Sequence, residues 1–251
     1  MKKYLSLLML LLGVSFVCKA QLNLCVYSKD GEITRFLASN VDSVSFVVPD
    51  SYPVDPANVV NNHEYVDLGL SVRWATCNIG ANYPGETGDY FAWGEIEPKV
   101  WYSWSTYKWS NGNEQTLTKY CLDENYGIVD NKITLEVSDD VARMEWGDRW
   151  RMPTQQEFKE LLEFCTLRWT KFNSMYGYEV TSNINGNKIF LPLTGYMIES
   201  ELITAPFGYY WCSTLDVTDS DNAMQLGFTD TWLGVLSSTR MYGQPIRPVL
   251  P

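Results

Sequence analysis

The chain has 251 residues, 45% hydrophobic and 14% aromatic but only 20% charged, a composition that supports a buried core and excludes whole-chain disorder and a coiled coil. A net charge of −11 is the opposite of a duplex-binding footprint, so nucleic acid is not an expected partner. With a single histidine, His63, a zinc centre would need cysteines or carboxylates for the rest of its shell, and a Ser-His-Asp triad has one candidate base.

In chain order, Lys2 and Lys3 precede an apolar run from Tyr4 to Val17, and Cys18 and Ala20 place small residues ahead of a cut before Gln21. Residues 1–20 therefore read as a secretory signal peptide. The run is shorter than the roughly 20 residues of a membrane-spanning helix, so no transmembrane segment is expected in the mature chain. The expected destination is the periplasm, the cell surface or the medium. A lipidated Cys18 is the alternative, although Ser15-Phe16-Val17 lacks the small residue expected just upstream of such a cysteine. Cleavage leaves Cys25, Cys77, Cys121, Cys165 and Cys212, which in an oxidising compartment permits two disulfides and one thiol, the pairing left open. No CxxC pair occurs, so neither a redox motif nor a cysteine zinc knuckle is indicated.

Residues 21–48 read as a small β segment: Leu22 to Val26 alternates, Lys29-Asp30-Gly31-Glu32 supplies a turn, and Ile33 to Phe36 continues beyond it. Pro49, Pro53 and Pro56 punctuate a polar linker over 49–62. In the main domain, 63–251, Ser138 is expected to cap a short helix, with Asp139 and Asp140 in its first turn and Val141 and Met144 facing inward. Thr154 followed by Glu157 is a capping box, and Phe158, Leu161, Leu162 and Cys165 recur at helical spacing behind it. Tyr178 to Thr181, a turn containing Asn185-Gly186, and Lys188 to Leu193 read as a hairpin. The fold class is α+β, loop-rich with few helices.

Four blocks carry a resemblance: His63-Glu64-Tyr65-Val66-Asp67-Leu68-Gly69-Leu70 continuing to Ala81, Gly88-Asp89-Tyr90-Phe91-Ala92-Trp93-Gly94-Glu95, Trp150-Arg151-Met152-Pro153-Thr154, and Ile246-Arg247-Pro248-Val249. Together, over residues 63–251, they resemble the Fibrobacter succinogenes major paralogous domain, a family of secreted Bacteroidetes and Fibrobacter proteins. The resemblance implies a fold similar to C-type lectins and formylglycine-generating enzymes, and little biochemistry. The reactive cysteine pair and metal of those enzymes have no counterpart here, and the Glu-Pro-Asn or Gln-Pro-Asp signature of calcium-dependent lectins is missing, since Gln244-Pro245-Ile246 lacks the acid.

Several residues invite a chemical reading. Arg151, ahead of Pro153, reads as a structural corner rather than an anion site, and Trp146 and Trp150 as core. Glu95 and Glu97 would lie about 7 Å apart on one face of a strand, a glycosidase-like spacing, but a solvated acidic turn explains them more simply. Asp123-Glu124-Asn125 and Asp216 with Asp219-Ser220-Asp221-Asn222 offer oxygen ligands for calcium without the glycine of a calcium loop. The expectation is thus no cofactor, with calcium the one candidate. The late segment is the most suggestive. It mixes rigid aromatics with short polar residues, and Cys212 within it is expected to be the unpaired thiol. Trp211 and Phe228 are expected inside. Tyr209, Tyr210, Asp216, Asp219, Gln225, Asp230, Trp232 and Tyr242 are the candidate ligand contacts. These readings lead to a non-catalytic envelope module that recognises a protein or glycan. A structural surface-layer or fimbria-associated subunit and, third, an envelope enzyme are its rivals.

Overall fold

The computed structural model describes residues 23–27, 33–38, 57–204 and 206–251. The signal-peptide reading of 1–20 and the first part of the linker fall outside them. The chain divides into two units, Met1–Val48 and Pro49–Pro251. In the first, β1 (Asn23–Tyr27) and β2 (Ile33–Leu37) form the expected antiparallel hairpin, with Asn23 opposite Leu37 and Tyr27 opposite Ile33.

The second unit is built from antiparallel sheets joined by long loops, with two α-helices. Its first strand, β3 (Val59–Val60), lies in the stretch whose composition reads as linker, and pairs with β4 (His63–Val66). A pair of valines carries too little periodicity to be recognised, and their partner, not their own pattern, makes them a strand. Beyond β4 comes β5 (Arg73–Ala75), and against it runs the last strand of the chain, β14 (Val249–Leu250), with Val249 opposite Trp74. The two ends of this unit are therefore knitted into one sheet. Arg247 of the closing motif is fully buried there, its Nε donating to Asn78 Oδ1 at 2.8 Å and its Nη1 to the Ala75 carbonyl at 3.3 Å.

Helix α1 (Val141–Trp146) begins two residues later than expected. Its N-cap is Asp140, not Ser138. The Asp140 carboxylate accepts from the N–H groups of Ala142 and Arg143 and also from Met152 across the core. That tertiary bond selects it over the serine. The shift rotates Met144 to the outside, 51% exposed, and turns Val141, Ala142 and Trp146 inward. Helix α2 (Gln155–Phe164) starts as its capping box dictates, with Thr154 Oγ1 accepting from Glu157 N at 3.2 Å and Glu157 Oε2 accepting from Thr154 N at 2.8 Å. Arg151 closes its guanidinium fork on the same Glu157, one bond at 2.8 Å and a second shorter, so the Arg-Met-Pro-Thr corner is a structural clamp at the helix start. Phe158 and Leu161 are fully buried.

From α2 the chain passes directly into β6 (Cys165–Phe172), β7 (Met175–Ser182) and β8 (Lys188–Pro192), a meander. The β7–β8 hairpin turns at Asn185-Gly186 as expected. The β6–β7 hairpin turns at Asn173 and Ser174, both with positive φ (46° and 75°), the pair of left-handed residues that a tight two-residue hairpin needs. Next come β9 (Tyr196–Ile198), β10 (Glu201–Ile203), β11 (Gly208–Leu215), β12 (Asn222–Phe228) and β13 (Leu233–Thr239), the last three forming one sheet.

Tryptophans organise the core. Trp93, Trp150 and Trp211 are all fully buried, and each indole N–H finds a backbone carbonyl: Cys212 at 2.7 Å, Val60 at 3.1 Å and Phe91 at 3.0 Å. Burial of that much aromatic surface stabilises the unit strongly, and the carbonyl partners remove the penalty of burying the N–H. The expected disulfides do not form among the described residues: Cys77, Cys121, Cys165 and Cys212 are all free thiols. Cys212 is one of four rather than the odd one out; it is fully buried and donates to the Met224 carbonyl. No helix among the described residues is long and apolar enough to cross a membrane, which leaves β-barrels unaddressed.

Candidate functional site

The late segment becomes the β11–β12–β13 sheet, and its register sorts the candidate residues. Tyr209, Gly227 and Gly234 lie opposite one another, as do Trp211, Gln225 and Leu236. Because successive side chains on a strand alternate, these share one face, and Tyr210, Leu226 and Phe228 share the other.

The second face is core. Tyr210, Leu226 and Phe228 are fully buried with Phe158 and Leu161 of α2 and with Tyr178, Val180 and Ile189. Tyr210 is consequently withdrawn from the set of surface contacts: its hydroxyl donates to the Pro192 carbonyl at 2.8 Å. Cys212 lies in the same cluster, its thiol pushed up to about 12 by burial, which makes it inert as a nucleophile.

The first face is different. It is core at Trp211 and Ala223, then opens toward Tyr209 and Trp232. Gly227 makes room for its neighbours: a Cβ there would meet Leu236 Cδ2 at 2.6 Å and the Tyr209 ring at 3.0 Å. On the next strand, a Cβ on Gly234 would meet the Trp232 indole at 3.2 Å. Side chains flanking the glycines thus close over bare backbone and pave the sheet.

The paving continues beyond the sheet. Phe207 stacks on Tyr209 with ring centroids 5.6 Å apart, Tyr209 meets Tyr196 edge-on at 5.8 Å, and Tyr196 meets Tyr242 at 5.1 Å. All four rings are partly exposed. Backbone contacts hold Tyr196 in place, since Met197 and Gly243 exchange two hydrogen bonds at 2.8 and 2.9 Å and Thr194 Oγ1 bonds both the N–H and C=O of Tyr209. Burial and the neighbouring Tyr196 raise the hydroxyls of Tyr209 and Tyr242 above the ordinary tyrosine range, so both remain donors at neutral pH.

Two buried amides border this face. Gln225 is 2% exposed and Gln244 is 1% exposed, and neither side-chain oxygen has a hydrogen-bond partner. Gln244 Nε2 donates to Ser238 Oγ at 3.3 Å. Leaving such an acceptor unpaired costs about 1–3 kcal/mol, so stability alone does not select for it.

Of the candidate contacts, Tyr209 and Tyr242 join the ring row through Tyr196, Trp232 lies beside Gly234, and Gln225 is buried beneath. Asp216 and Asp219 lie in the β11–β12 loop and Asp230 in the β12–β13 turn, at opposite ends of a seven-residue strand that spans roughly 20 Å. Tyr196 and Phe207 had no signal in the late segment's own pattern. Tyr196 reaches it through the β9 contacts, and Phe207 is recognisable only once Tyr209 is known to point outward.

In the acidic stretches considered for calcium, most of the hydrogen bonds are local. Asp216 Oδ1 accepts from the N–H and hydroxyl of Thr218 at 2.9 and 2.7 Å, and Asp123 Oδ1 accepts from the backbone and side chain of Asn125 at 2.9 and 2.8 Å. Asp219 Oδ2 accepts from Asn222 at 2.9 Å while its Oδ1 is buried without a donor. Burial and the adjacent Asp219 carboxyl push Asp221 up to about 6. Among the described residues no three His, Cys, Asp or Glu side chains converge as a metal-holding group. Residues 95–97 form no strand: Glu95 is buried, accepting from Lys99 Nζ and Lys108 N, both at 2.8 Å, whereas Glu97 is exposed. The paired-carboxylate geometry is therefore not present.

Comparisons of the chain with models of protein families, with curated proteins and with solved structures find no match.

Proposed function

We propose that the protein is an exported, non-catalytic binding module of the cell envelope, with a C-type-lectin-like domain of the Fibrobacter succinogenes major paralogous type, which recognises a protein or glycan through the paved face of β11–β13. The observation that carries this reading is the row Phe207, Tyr209, Tyr196 and Tyr242 together with Trp232: partly exposed rings on ordered backbone, bordered by amide acceptors that lack donors. Large exposed aromatics fixed in advance give contact area at little entropic cost. The pairing of the last strand, β14, with β5 near the start of the unit, the two helices and the loop-rich middle are compatible with a C-type-lectin-like architecture. No metal is needed for recognition of this kind, and the paired carboxylates that a hydrolytic reading would use are one buried and one exposed.

The test is saturable binding. The purified chain is applied to glycan and protein arrays beside Tyr209→Ala and Trp232→Ala variants that retain the wild-type melting temperature. The expected result is at least one saturable ligand whose capture falls in both variants. Arrays with no signal above background, or a ligand indifferent to both substitutions, would sink the proposal.

A further inference from the structure

We infer that the ligand of the paved face is an uncharged glycan, held by ring stacking and hydroxyl–amide hydrogen bonds without a bridging metal. This rests on the binding-module reading and narrows it to one ligand chemistry. None of Tyr196, Phe207, Tyr209, Trp232, Leu236 and Tyr242 is charged, in a chain whose net charge is −11. These six side chains offer an ion-paired ligand no partner.

Apolar rings stand here beside unsatisfied acceptors. A pyranose presents apolar C–H groups on its ring faces and hydroxyl donors around its rim. The stacked and edge-on rings offer the complement of the first, and the Tyr209 and Tyr242 hydroxyls and the Gln225 and Gln244 oxygens the complement of the second. Gln225 stands on the same face as Tyr209, one pair further along, between Trp211 and Leu236. A ligand hydroxyl that reaches this buried oxygen supplies a donor that the protein lacks, whereas a purely apolar ligand leaves it unpaired.

The rings are also held in place by the backbone around them. Tyr209 is flanked by β12 and by Thr194, and Tyr196 by the exchange between Met197 and Gly243. A fixed row of rings suits a repeating chain of similar saccharide units better than a partner that must be wrapped.

The experiment titrates the full chain with soluble neutral and acidic polysaccharides, in EDTA and at two salt concentrations, beside Tyr209→Ala, Tyr209→Phe, Tyr196→Ala and Gln225→Leu. The expected result is binding to a neutral polysaccharide that is unchanged by EDTA and by salt. It should weaken about tenfold in each ring-to-alanine variant, less in Tyr209→Phe, and several-fold in Gln225→Leu without loss of melting temperature. If the face variants abolish capture of a protein while no polysaccharide binds, the glycan inference is overturned and the module stands. Binding confined to acidic polysaccharides and suppressed by salt, or binding abolished by EDTA, also overturns it. No binding of either class overturns the inference and the module together.

Discussion

The two faces of the β11–β12–β13 sheet are made by the same strands, and adjacent residues belong to opposite worlds. Tyr210 is fully buried with a satisfied hydroxyl, while Tyr209, just before it in the chain, is partly exposed in a row of rings. On the inner face, Leu226 and Phe228 pack against α2. On the outer face, Gly227 has no side chain and Gln225 carries an oxygen with no donor. The inner face is what hydrophobic burial selects; the outer face departs from that rule at several positions at once, and such departures concentrate where a protein binds something.

The largest effect that sharpens this contrast lies on the inner face. Phe228→Ala, which removes a fully buried ring in contact with Tyr178 and Tyr210, should cost about 3–5 kcal/mol by denaturant unfolding. A cost below about 1 kcal/mol would mean that this face is not the core. Gly208→Ala tests the same packing from the backbone: its Cβ would fall 2.1 Å from the Phe228 ring, and a loss of about 1–3 kcal/mol is expected. Equal stability would show that the ring has room to move.

The β11–β12 loop belongs to neither face, and it should respond to pH. Asp221 is raised from its ordinary carboxylate value to about 6 by burial and by Asp219, with Glu114 acting in the same direction and Arg240 against it. The folded state therefore holds this proton more tightly than the unfolded one. Its contribution is fully present below about pH 4 and is lost as pH rises through 6. In Asp221→Asn an amide donor serves the buried Asp219 oxygen at every pH. The variant should match wild type near pH 4 and exceed it by about 1 kcal/mol at pH 7.5, after allowance for solvent screening. Parallel stability profiles of the two proteins would contradict the shared proton.

The smallest of these stability changes is expected at Gln225. Gln225→Leu removes the unpaired acceptor at similar volume and should leave stability unchanged or raise it by up to about 1 kcal/mol, read from the urea midpoint. A loss above 1 kcal/mol would place the amide in the structural scheme and weaken the contrast between the faces.

What the sequence discloses follows the range of the interactions. Helix α2 is legible because its capping box is local, Thr154 to Glu157, and so is the β7–β8 hairpin with its Asn185-Gly186 turn. The start of α1 is not, since Ser138 and Asp140 are both competent caps and the choice depends on a bond to Met152. Strand β3 is decided by its partner. The late segment is legible as a sheet with aromatic content, but alternation alone does not say whether Tyr209 or Tyr210 faces out; the packing of Phe228 against α2 does. Tyr196 joins the row through Gly243, 47 positions away in the chain, and the disulfide expectation fails where Cys121, Cys165 and Cys212 are each buried in a core cluster as free thiols.

The central claim is that the outer ring row is held for a ligand and not for the fold, and Tyr209→Ala tests it most directly when melting temperature and ligand capture are measured on the same preparation. The account predicts a melting temperature within a few degrees of wild type and capture reduced about tenfold. A drop in melting temperature comparable with that of Phe228→Ala, or intact capture, would contradict it.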